Sequence, residues 1–124
     1  MNKRIEVIEA AEREGKLLLY AEKYDGHADR LEAKGQILAD SDQLAFIYIL
    51  EDPEHFTYVS ISPDYWQHLE HARQNSVSVW AVINEEELEL LSFHEELTEL
   101  VQNISGNANY GDEMEGRVSG IFAG

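Results

Sequence analysis

Leu44-Ala45-Phe46-Ile47-Tyr48-Ile49-Leu50, then Glu51-Asp52-Pro53-Glu54, then Phe56-Thr57-Tyr58-Val59-Ser60-Ile61: this stretch decides the fold. Its first seven residues are apolar at both odd and even positions and rich in aromatic and β-branched types. That is the composition of a strand covered on both faces. The acidic, proline-containing break that follows cannot continue the ladder, and Phe56 to Ile61 resumes as a second strand, so the pair predicts an antiparallel hairpin.

Downstream the periodicity alternates between helix and strand. Ser62-Pro63-Asp64 predicts a helix start, with a hydroxyl at the cap, proline in the first turn and a carboxylate at the positive end of the dipole. Ile61 and Trp66 have the spacing of a hydrophobic staple; Trp66, Leu69 and Ala72 make an inward stripe, and the helix should end by Asn75. Residues 77–83 alternate as a strand, Asn84-Glu85-Glu86 turns the chain, and Leu88 and Leu90 continue as a short partner. Ser92-Phe93-His94-Glu95 has the form of a capping box. Phe93, Leu97, Leu100, Val101 and Ile104 then recur on one helical face, with Leu100 at its centre. Ser105-Gly106 stops that helix, and Met114, Val118, Ile121 and Phe122 mark a last one.

Upstream, the residues permit two readings. Glu6 to Glu14 is built from helix formers, yet Ile5 and Val7 alternate and Glu14-Gly15 can turn into Leu17-Leu18-Leu19-Tyr20, which favours a hairpin. Residues 23–36 are polar, contain Gly26 and Gly35, and predict a connection with a helical turn around Arg30 to Lys34. The sum is α+β: one domain over residues 1–124, an antiparallel sheet of about five to six strands, and about three helices in a single layer against it.

Composition narrows the function classes. Nine basic against 25 acidic residues leave a net charge of -16, and from residue 35 onward only Arg73 and Arg117 oppose seventeen acids. Such a surface repels phosphate backbones and anionic lipid, so nucleic acid and membrane are not expected as direct ligands. It favours a basic protein surface, with mimicry of nucleic acid as the sharper version, or it serves solubility alone. There is no cysteine, hence no disulfide, thiol nucleophile or zinc finger, and a reducing cytoplasm suits the chain. Met1-Asn2-Lys3-Arg4 leads into glutamates rather than an apolar core, unlike a signal peptide.

Motifs of chemistry are sparse. His68 and His71 stand three apart on a predicted helix, a spacing that fits no established zinc pattern and equally describes two solvated side chains. Asp40-Ser41-Asp42 offers oxygens to a hard cation, but lacks the glycine and distal glutamate of a calcium loop and also reads as a self-satisfied turn. Neither a Gly-x-Ser-x-Gly elbow nor a phosphate loop occurs, and no cofactor or metal is expected. Two surface elements remain as candidate binding residues. One is the turn Glu85, Glu86 and Glu87. The other is the loop with Asn107, Asn109, Tyr110 and Gly111, where amides and a ring could meet a partner or merely cap a helix. The rival to an interaction domain is a ligand-binding protein or enzyme whose polar pocket uses Asp40, Asp42, His94 and Tyr110.

The stretches Gly35-Gln36-Ile37-Leu38-Ala39-Asp40-Ser41-Asp42, Leu88-Glu89-Leu90 through Phe93-His94-Glu95-Glu96-Leu97, and Asn103-Ile104-x-Gly106-Asn107-Ala108-Asn109-Tyr110-Gly111 resemble the YjbL-like family of small proteins from Firmicutes. The likeness runs from Gly35 to about Met114. It implies a bacterial cytosolic origin and an uncharacterised family with no catalytic or binding residues to carry over. It also implies an N-terminal strand hairpin, although Ala10-Ala11 and the longer polar connection depart from the family.

Overall fold

The computed structural model describes residues 3–122, so Met1 and Asn2, used above against a signal peptide, lie outside it. Seven strands appear: β1 (Lys3–Arg13), β2 (Lys16–Ala21), β3 (Glu32–Asp40), β4 (Ala45–Glu51), β5 (Phe56–Ile61), β6 (Ser78–Ile83) and β7 (Glu86–Glu89). Three α-helices occupy the predicted stretches, α1 (Trp66–Gln74), α2 (Phe93–Ile104) and α3 (Asp112–Phe122), but the expected start of the first is a 3-10 turn at Pro63–Tyr65 and the Ser62 hydroxyl makes no capping hydrogen bond.

The strands form one curled sheet in the order β3-β4-β5-β1-β2-β6-β7. It is mixed rather than antiparallel, and has seven strands rather than five or six, for two reasons. Residues 32–40 form a strand where a polar connection with a helical turn was expected; the only helical turn there is a 3-10 turn at Ala28–Arg30. This strand lies at the sheet edge, where half of its side chains meet water, so its polar composition is no obstacle. The β1–β2 hairpin is then inserted between the β3–β5 meander and the β6–β7 hairpin, running parallel to β5 on one flank and to β6 on the other. Strand β1 serves both halves by changing partners: residues 3–6 pair with β5, and an irregularity between Val7 and Glu9 passes the rest to β2. The hairpin closes through Glu14 and Gly15, both with left-handed φ (53° and 78°), as a two-residue turn requires.

Alternation along β4 sends Phe46, Tyr48 and Leu50 into the core, where all three helices meet them from one side. On α1, Trp66 stacks on Phe46 at 4.2 Å between centroids, and its indole N–H donates to the Ile61 carbonyl at 2.9 Å, tying the staple pair together. On α2, Phe93 stacks on Tyr48 at 5.9 Å, and on α3, Phe122 lies 5.9 Å from Phe46. The opposite face of the sheet carries no helix and shows Leu38 and Phe56 to solvent.

The N-terminus of α2 differs from its expected form. Ser92 is left-handed (φ 60°) and its hydroxyl makes no capping hydrogen bond, so the sequence Ser-Phe-His-Glu does not close a capping box. The backbone is drawn out of the cap conformation by Tyr48, whose hydroxyl donates to the Leu91 carbonyl at 2.6 Å and accepts from the Gly35 N–H at 3.1 Å. Gly35 has φ +67° at the register irregularity of β3, and a Cβ placed there would lie 3.6 Å from the Ser92 side chain and 3.7 Å from the Leu91 carbonyl. One phenol therefore ties edge strand β3 to the β7–α2 junction and holds the curl of the sheet.

Burial, with the nearby charges of Glu96 and Glu89, pushes the Tyr48 phenol up to about 12 despite the Gly35 N–H that favours its ionised form. An unfolded tyrosine ionises near 10. The folded state thus keeps a proton that the unfolded chain loses above that pH. The associated stability is complete below about pH 10 and is lost as pH rises towards about 12. Urea unfolding followed across this window should show a steeper decline for the natural protein than for Tyr48→Phe; parallel profiles would count against the assignment.

Candidate functional site

The β6–β7 turn sits where the sequence places it, and its geometry is held from outside. Asn84 and Glu85 are both left-handed (φ 49° and 72°). The Asn84 amide donates to the Tyr24 carbonyl at 2.8 Å and its oxygen accepts the Tyr24 N–H at 2.9 Å. This two-way clamp fixes Glu85 in the turn and, directly after it, Glu86 and Glu87 at the start of β7, all three exposed. Residues 84–116 contain ten Asp or Glu and no Lys or Arg. Of these acids, only Glu87 (to Lys16, 3.3 Å) and Glu113 (to Arg117, 3.5 Å) form ion pairs with a cation among the described residues. Glu89 on β7 and Glu96 on α2 both lie near enough to Tyr48 to act on its phenol.

The 107–111 loop is a 3-10 turn, Ala108–Tyr110, and its polar groups serve the turn itself. The Asn107 side chain accepts the Asn109 N–H at 3.0 Å and donates to the Asn103 carbonyl at 3.3 Å. Tyr110 is half-buried against the core, while Asn109 and Gly111 are exposed. Glu115 on α3 closes the unit, accepting from Ser119 at 2.6 Å and from the Gly106 N–H at 3.3 Å; these bonds hold its carboxyl below the usual range.

The four groups of the rival pocket do not come together. Asp40 and Asp42 line an open cleft of about 440 Å³ on the helix-free face of the sheet, with Arg4, Ser41, Ile47 and Tyr58. Here Arg4 donates to Asp40 (2.8 Å), Glu6 (3.2 Å) and Ser60 (2.9 Å). Asp40 also accepts the Gln43 N–H at 3.1 Å, so it is a turn-forming aspartate, held below the usual carboxylate range chiefly by Arg4. His94 and Tyr110 lie on the helix side. The His94 Nε2 contacts the Val77 carbonyl at 2.6 Å, which makes it the donor, and its buried Nδ1 has no partner among the described residues. His68 and His71 are exposed, and His71 meets Glu12 at 3.2 Å.

A further cluster escaped the sequence. Asp52, in the break between β4 and β5, accepts the N–H groups of Glu54 (2.7 Å) and His55 (2.8 Å) and the His55 ring Nδ1 (3.0 Å). The other ring nitrogen faces the Tyr24 hydroxyl at 3.5 Å, which in turn lies 3.3 Å from the hydroxyl of fully buried Thr57. Burial works to raise the Asp52 carboxyl, but the two backbone N–H bonds together with the nearby His55 and Lys3 hold it below its usual range. A turn-forming Asp three residues before a His was visible in the sequence. Its union with Tyr24, from a separate connection, was not.

The model of a family of unknown function, UPF0738, matches residues 5–122. A UPF0738 protein of Bacillus licheniformis is 48% identical over 98% of this chain and 99% of its own length. Relatives from Bacillus cytotoxicus (39%) and Bacillus cereus strain G9842 (38%) match over the same shares. The label differs from the one the sequence suggested; the substance, an uncharacterised family in Firmicutes, is the same. No solved structure matches. Among the described residues no helix is long and apolar enough to cross a membrane.

Proposed function

The chain belongs to UPF0738, a family of unknown function, and from that premise we propose that it works by binding: its acidic rim, from the β6–β7 turn along α2, receives a basic protein surface. One observation carries this reading. Residues 84–116 hold ten acids and no base, and only Glu87 and Glu113 meet a cation from elsewhere among the described residues, so most of this negative field is not neutralised within the protein. A charged face of this kind accelerates encounter with a surface of opposite sign. The clamped turn adds geometry, because Glu85 to Glu87 are displayed without the entropy loss of ordering a loose loop.

The test is affinity capture from a lysate of a Bacillus species at low and high salt, repeated with Glu85, Glu86 and Glu87 all changed to Gln. A cognate partner should be basic. Its association should slow and lose much of its salt dependence in the triple variant, while thermal stability stays nearly constant. A partner indifferent to both salt and these substitutions would remove this face from the account, and the exposed Asn109 and Gly111 would become the next surface to test.

A further inference from the structure

Four basic residues have no carboxylate partner among the described residues: Lys3, Arg13, Lys23 and Arg30. In a chain with 25 acids and nine bases, a cation without an ion pair is notable. Two of the four line the same cleft of about 300 Å³, between the connection after β2 and the β4–β5 turn. Asp25, Glu54, His27 and His55 share its wall. Both signs of charge therefore face one small space, where Lys3 acts on Asp52 through space but neither Lys3 nor Arg30 closes an ion pair among the described residues.

The wall is built. Gly26 lies so close on the buried Tyr24 ring that a Cβ there would come within 2.8 Å of it, so only glycine lets the connection fold back at this point. The Lys3 ammonium sits 5.1 Å from the centre of the same ring and donates to the main-chain carbonyl of Asp25, at 2.5 Å, rather than to its carboxylate. On the far side Asp52 fixes His55, directing the ring N–H to itself and leaving Nε2 as an acceptor. Asp52 is occupied by these bonds, whereas the Asp25 and Glu54 carboxylates have no partner among the described residues.

We infer that this cleft binds a small zwitterion of the amino-acid kind, its carboxylate held by Lys3 and Arg30 and its ammonium by Asp25 and Glu54. A simple anion would meet three carboxylates as well as the two cations, inside a protein of net charge -16. A simple cation would engage the carboxylates alone and leave Lys3 and Arg30 without a counter-charge. A ligand of no net charge that carries both signs is opposed by neither, and the volume suits one small molecule. This site is separate from the acidic rim and stands or falls independently of it.

The probes are the twenty standard L-amino acids, each titrated alone, with acetate and methylammonium as carriers of a single charge. The readout is the set of imidazole proton resonances, of which the chain has five, assigned by His→Gln variants. At least one amino acid should shift His27 and His55 saturably and leave His68, His71 and His94 in place. Acetate and methylammonium should bind more weakly by about tenfold or more. Arg30 is exposed and its side chain forms no hydrogen bond or ion pair among the described residues, so Arg30→Gln should keep the protein folded and weaken the titration by about tenfold or more. The inference is overturned if no amino acid shifts the two resonances saturably, if acetate binds as tightly as any of them, or if Arg30→Gln leaves the affinity unchanged.

Discussion

Trp66→Ala should destabilise the protein by about 3–5 kcal/mol, the largest loss expected from any single truncation here. The indole is fully buried, stacks nearly parallel on Phe46, with 12° between the planes, and touches Phe122 at 6.2 Å, so its removal opens the junction of α1, α3 and the sheet at once. It also leaves the Ile61 carbonyl without its 2.9 Å donor. For a domain whose whole stability is about 5–15 kcal/mol, such a loss brings unfolding near to ambient conditions. Urea denaturation followed by circular dichroism measures it directly. A loss under about 1 kcal/mol would mean that the ring does not occupy the core.

Leu97→Ala is the second large effect, at about 2–5 kcal/mol, and its value lies in the comparison with Leu100→Ala. Sequence periodicity places Leu100 at the centre of the inward face of α2. In the structure the buried positions are Phe93, Leu97, Val101 and Ile104, spaced by four, four and three, and Leu100 sits to one side, half-buried. The inward stripe is narrower than the apolar stripe. Leu97 has no exposed surface, so its loss leaves a cavity that α2 and the sheet cannot fill, whereas a half-buried side chain gives up only part of its transfer energy. Parallel urea titrations of the two variants should rank them in that order. Equal losses would mean that α2 is rotated towards Leu100.

These comparisons show what the residues disclose locally and what they do not. Strands β4 and β5, the staple at Ile61 and Trp66, and the three helices each repeat a period that can be read within a dozen residues. Strand β3 could not be read so, because Glu32-Ala33-Lys34-Gly35-Gln36 has the polarity of a loop and becomes a strand through its neighbour β4. The parallel pairings with β5 and β6 were equally hidden, since they join residues far apart in sequence. The cap at Ser92 failed for a tertiary reason: the Tyr48 hydroxyl, more than forty residues away in the chain, takes the Leu91 carbonyl. Of the candidate residues, the Glu85 to Glu87 turn was legible because turn chemistry is local. The Lys3, Arg30 and His55 cleft was not, being assembled from three separate segments.

The position of the first hairpin in the sheet has a consequence for how the chain is made. Strands β1 and β2 leave the ribosome before the other described strands, yet each has as its second neighbour a strand that comes later, β5 from residue 56 onward and β6 from residue 78 onward. Until those segments emerge, the nascent hairpin waits with both ladder edges bare and with Leu17, Leu18 and Leu19 uncovered, a state open to pairing with any other extended chain. Completion depends on contacts between distant parts of the polypeptide, which form slowly. The vulnerable interval in the life of this protein therefore falls during synthesis, and it ends when the strand that follows α1 docks against β2.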